Sequence, residues 1–129
     1  MFKFFKKKGK YPYFRILTSF HRKNFYFLRN AEWASVDAEN ILVTDPRTLD
    51  VLPLSGWSQV VFVSASGEKT IDEFIYFIAD RYTGAIPESL DQVIIFELFD
   101  LEKKGLILIT DKKQTLAKEF DLPGLGGIK

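Results

Sequence analysis

The sequence predicts a small α+β domain: N-terminal antiparallel strands, then three helices and a short wing strand. Three observations predict it. β-branched and alternating segments of strand length fill residues 33–54 and are broken by an Asp-Pro turn at Asp45 and Pro46. Apolar residues then recur every three or four positions through residues 57–101. Gly105 stops that pattern and is followed by the apolar run LILIT. Strands, three short helices, a glycine and an apolar strand, in that order, describe a winged-helix-like arrangement.

The chain has 129 residues, enough for one domain with one modest core. Its 47% hydrophobic content argues against a disordered chain. It has no cysteine, which excludes disulfides, cysteine-ligated metals and thiol catalysis. No segment reaches the roughly 18 uninterrupted apolar residues that span a bilayer. MFKFFKKKGK is basic, but neither an apolar run nor a small-residue cleavage site follows, so no secretory signal is expected and the expected location is cytoplasmic. The formal net charge of +1 conceals an asymmetry. Residues 1–30 carry nine Lys or Arg, no Asp or Glu, and seven of the thirteen Phe. Residues 31–129 carry nine Lys or Arg against seventeen acids. Composition thus separates a basic, aromatic-rich extension (1–30), a central domain (31–110) and a helix and tail (111–129).

The extension fits neither the helical nor the strand period cleanly, and a strand, a helix or both in turn are open for residues 13–28. Docking of the extension on its own acidic domain would bury Phe14, Ile16, Leu17 and Phe20. Contact with an anionic membrane, a protein or single-stranded nucleic acid also suits interleaved basic and aromatic residues. From Trp33 the reading is orderly. AEWASVD, NILVTD and LDVLPL are three strands forming a meander, with a turn at DPRT and with Pro53 marking an edge. SGWSQVVFVSA is split between strand and helix; the spacing of Trp57, Val60, Val61 and Ser64, with Ser55 as cap, favours a helix. In TIDEFIYFIADRY, Ile71, Phe74, Ile75, Ile78 and Tyr82 form one apolar stripe, with Gly84 as a left-handed cap. A third helix begins near Pro87, follows Leu90, Val93, Ile94, Leu98 and Leu101, and stops at Gly105. LILIT is a strand, and TLAKEF a last short helix with Leu116 and Phe120 inward.

ASGEKTIDEF concentrates the charged motifs. A phosphate-binding loop needs glycines spread along the loop, whereas here Gly67 stands alone and Glu68, Asp72 and Glu73 would repel the ligand. The T-x-x-E spacing of Thr70 and Glu73 instead specifies a capping box, with Gly67 as the preceding turn. His21 is the only histidine and stands among cations, which disfavours a metal site and leaves no serine relay. The acid pairs Asp72–Glu73 and Glu97–Asp100 are explained by capping and by a solvated helix face. No catalytic residue, metal or cofactor is expected, and the chain reads as a non-enzyme.

DPRTLDVLPLS, GWSQVVF, SGEKTIDEFIYFIADRY and VIIFELFDLEKKGLILI, in that order and spacing, resemble the PqqD-like family of peptide-recognition domains. The resemblance covers about residues 33–110. Trp57 matches the aromatic of the family's first helix, Gly67 to Thr70 its Gly-x-x-Thr element, and Gly105, Leu106 and Ile107 its wing. It implies a non-catalytic chaperone that holds a precursor's leader peptide for a modifying enzyme, a radical or an ATP-using one. The leader would add as a strand between residues 49–54 and 90–101, which makes Val51, Leu54, Val93, Glu97 and Leu101 the candidate groove. Two alternatives stand beside it. A winged-helix nucleic-acid regulator is opposed by Glu88, Asp91, Glu97, Asp100 and Glu102 on the third helix, where a DNA reader carries cations. A structural adaptor would use the same surfaces for homodimerisation.

Overall fold

The computed structural model describes residues 11–124. Residues 11–30, which composition sets apart, supply part of its core. Phe14 and Leu17 are buried at either end of the first turn of α1 (Arg15–Ser19), while Ile16 and Phe20 pack half-buried against the same cluster. β1 (Tyr26–Arg29) then enters the middle of a sheet. The segment is therefore a helix and a strand in turn, and the break in charge at Asn30 is not a break in packing.

The remaining elements are β2 (Trp33–Ser35), β3 (Asn40–Thr44), β4 (Val51–Ser55), α2 (Gly56–Ser64), β5 (Ser66–Thr70), α3 (Ile71–Ala79), α4 (Leu90–Lys103), β6 (Ile107–Thr110) and α5 (Lys118–Asp121). They form two antiparallel three-stranded sheets, ordered β5-β1-β6 and β2-β3-β4, in an α+β fold. The second sheet is the expected meander. Asp45 Oδ1 accepts from the Arg47 backbone at 2.8 Å and closes the β3–β4 turn.

Of the two strands outside the expected meander and wing, β1 falls where a strand was one of the open readings, and β5 is new. Phe27, Leu28 and Arg29 of β1 are buried in succession, so both faces are covered and no alternation is left to read. β5 occupies SGEKT, where only a turn was expected. Tyr26 faces Thr70 while Leu28 faces Ser66, so β5 bulges against β1. Gly67 lies in that bulge at φ +84°, and a Cβ there would stand 2.5 Å from the Gln114 carbonyl oxygen.

α3 starts as the sequence specifies. The Glu73 backbone donates to Thr70 Oγ1 at 3.1 Å, and the Thr70 backbone donates to Glu73 Oε1 at 2.9 Å. Thr70→Ala is expected to cost about 1 kcal/mol, measured by denaturant unfolding. Three other helix boundaries differ from expectation. Ser55 occupies the cap position of α2, yet its side chain makes no capping bond. α3 ends at Ala79, with Asp80 still right-handed, so Gly84 does not terminate it. α4 begins at Leu90 after a turn in which Leu90 N–H donates to the Pro87 carbonyl. At its other end, Leu106 N–H reaches the Leu101 carbonyl and Gly105 N–H the Glu102 carbonyl, with Gly105 at φ +78°. That is a Schellman ending, and it aims the chain into β6.

One apolar cluster joins both sheets and the helices α1 to α4, and includes Ile41, Val43, Phe62, Phe74, Ile94, Leu98 and Leu101. Asp91 is buried among them at 2% exposure, and its two oxygens accept from Leu17 N–H and Gln92 N–H, which fastens α1 to α4. On the outside, Tyr11 packs edge-on against Tyr76 and its hydroxyl donates to Asp80 at 2.5 Å. Burial, then that carboxylate, pushes the Tyr11 phenol up to about 12 from 10.0. The folded value exceeds the unfolded one, so the contribution of this contact is complete below the unfolded value and is lost as pH rises through the folded one. In an ultraviolet titration, Tyr11→Phe is expected to remove a phenolate step at the alkaline end.

Candidate functional site

β4 is an outer strand of the sheet β2-β3-β4, and its main chain can be oriented from two bonds. Asp45 N–H donates to the Asp50 carbonyl at 2.8 Å, whereas Thr44 N–H turns the other way, to Glu32. The Asp50 carbonyl therefore faces β3. The β3–β4 register runs unbroken from Thr44↔Val51 to Asn40↔Ser55, so Leu52 and Leu54 also turn their main chain to β3. Val51, Pro53 and Ser55 turn theirs outward, and among the described residues no strand pairs with that side. Pro53 lacks an N–H, and this is the side of the strand on which a proline costs no ladder bond. The outward edge thus offers donors at Val51 and Ser55 and an acceptor alone at Pro53.

The five candidate groove residues divide between this surface and the core. Leu54 is 6% exposed and Leu101 is fully buried, both within the central cluster. Strand alternation explains the first: Leu54 and Leu52 face inward over Ile41 and Val43, so Val51, 57% exposed, points from the opposite face. Helical period explains the second: Leu101 continues the stripe of Ile94 and Leu98. Val93 and Glu97 lie one turn apart, half-buried, on a flank of α4. Hence Val51 on β4 and Val93 and Glu97 on α4 reach the surface, and Leu54 and Leu101 belong to the core. β4 packs chiefly on β3 and α2, and α2 packs in turn on α4. Burial raises the Glu97 pKa, Asp100 adds to the rise, and Lys104 opposes it.

Two surface features were not singled out as site residues. Leu49, at the hairpin tip, is 74% exposed and holds φ +67°, a left-handed backbone that costs a branched side chain about 1–2 kcal/mol. The sequence carries no signal for it. Trp57, in the first turn of α2, is half-buried and, with Val60, borders two surface depressions. One, of about 650 Å³, runs to Ala38 and Asn40, and the other, of about 390 Å³, runs to Ile78 and Tyr82.

The alternative chemistries find these settings. His21 is exposed, its ring edge-on to Phe20. Among the described residues, no group of three His, Asp or Glu stands close enough to hold a metal ion, and no helix is long and apolar enough to cross a membrane. Glu73 is committed to its cap, and Asp100 pairs with Lys104 at 3.0 Å. The outward face of α4 presents Phe96, 66% exposed, and Phe99, with Arg22 over the Phe99 ring and bidentate to Glu102. Comparison of the chain with protein-family models, with curated proteins and with solved structures finds no match.

Proposed function

We propose that this chain is a non-catalytic peptide-binding accessory domain that takes an extended segment, the leader of a precursor peptide, along the outer edge of β4 and presents it to a modifying enzyme. The outward N–H groups of Val51 and Ser55, met by no strand among the described residues, are the observation that carries this reading, because strand addition draws its affinity from such groups. In the same reading α2, α3, α4 and β6 form a winged-helix unit, with the meander β2–β4 beside it. Val51 and the strained Leu49 offer apolar contact next to the edge. Glu97, a carboxylate that burial makes costly to ionise, gains from a cation, so a Lys or Arg in the peptide is favoured on the α4 side.

The test is selection of a random displayed peptide library on the full chain, followed by amide NMR with the enriched peptide. Shifts and added exchange protection at Val51 and Ser55 are expected, with Glu97→Gln relaxing the preference for a basic residue. Enriched peptides that leave both amides unmoved, or a library that gives no enrichment, would sink the proposal.

A further inference from the structure

The other rim of the meander is already occupied. Gly124 forms a parallel bridge with Ala34, and its N–H donates to the Trp33 carbonyl at 2.6 Å. Just upstream, Trp33 Nε1 donates to the Phe120 carbonyl at 3.2 Å. Arg29, reaching out of β1, donates to the carbonyls of Phe120 at 2.7 Å and Asp121 at 2.9 Å, and on its inner side to those of Phe62 and Val63. Residues 118–124 are thus a peptide ligand carried by the chain itself.

We infer that this ligand is exchangeable: the edge of β2, with Arg29 and Trp33, is a docking site that residues 118–124 of a second copy of this chain enter in place of the chain's own. The manner of attachment points there. No residue of the segment is fully buried, Phe120 is half-buried, and the bonds are polar, so leaving removes little apolar contact. The vacated site loses its best bonds: Arg29, 5% exposed beneath the segment, gives up two charge-assisted hydrogen bonds to the Phe120 and Asp121 carbonyls. An identical segment from a neighbour restores each bond in the same register, which is the condition for a low-cost swap. Residues 111–117 connect the segment to β6 without helix or strand and are exposed except for Leu116. They touch the body at Gln114, over Gly67. The hinge therefore falls within residues 111–117, which extend to about 23 Å.

The chain has no native cysteine, so the bridge itself can be trapped. Full-length Ala34→Cys and Gly124→Cys chains are mixed under mild oxidation, beside each chain alone and the double variant. Facing residues of a bridge are within disulfide reach. Closure within single chains of the double variant, together with mixed dimers severalfold more abundant than the like-with-like products, is the expected result. Mixed dimers no more abundant than like-with-like products overturn exchange, and a double variant that does not close overturns the docking site. Neither outcome bears on the β4 edge, whose amides are read separately.

Discussion

Arg29→Met is expected to lower the unfolding free energy by about 2–3 kcal/mol, the upper part of the range for carbonyls left without a charged donor. Methionine keeps much of the length and the apolar stem, so the loss isolates the guanidinium. That group touches four backbone carbonyls: Phe62 and Val63 at the end of α2, and Phe120 and Asp121 in α5. It also lies over the Trp33 ring at 5.4 Å. Burial pushes the Arg29 pKa down, and Asp121 pushes back. The Asp121 carboxylate is 3.8 Å away and mostly exposed, so the carbonyls and not this ion pair supply the stability. Denaturant unfolding with hydrogen exchange separates the two sides of the clamp. Residues 118–124 should lose protection first, while β1 and α3 keep theirs up to global unfolding. An unfolding midpoint equal to that of the parent chain would show that the four carbonyls find water at no cost, and would remove the basis for a demanding site beneath α5.

Phe27→Ala is expected to cost more, about 3–5 kcal/mol, by the loss of a large buried ring and the cavity it leaves. Phe27 is 1% exposed, centrally placed in β1, and its ring centroid lies 5.1 Å from that of Phe74 on α3. Both neighbours of β1 hang on its position: β6 pairs with it over Tyr26–Arg29, and β5 through Tyr26 and Leu28. The measurement is again equilibrium unfolding, read by two probes to check that a single transition remains. A loss near 1 kcal/mol, or an early separate transition, would mean that residues 11–30 dock on a body that stands without them.

What the sequence revealed follows from how many faces each element covers. β3, β4 and α3 each cover one face, so Ile41 with Val43, Leu52 with Leu54, and the stripe Ile71, Phe74, Ile75 and Ile78 leave a period in the text. Local chemistry was equally readable where it is self-contained, as in the Thr70–Glu73 box and the Gly105 ending. β1 covers both faces and carries a buried arginine, so it looks like part of a basic run. β5 is polar and short, and only pairing with β1 makes it a strand. The groove candidates divide between surface and core for a related reason. Choosing among Val51, Leu54, Val93, Glu97 and Leu101 needs the phase of a strand and of a helix relative to the core, and a window of apolar residues supplies the period without the phase. The role of residues 118–124 depends on Arg29, about ninety positions upstream, and no local pattern connects them.

Pro53 has a consequence for crowded solutions. A flat sheet with two open rims is a template for filaments, since each added molecule recreates the rim it covers. Here one rim is closed by Gly124, and the other meets every newcomer with a missing hydrogen-bond donor at its midpoint. A single short guest strand loses one bond to that gap, whereas a stack of copies would lose one at every layer. The proline thus tolerates a passing guest and penalises a polymer.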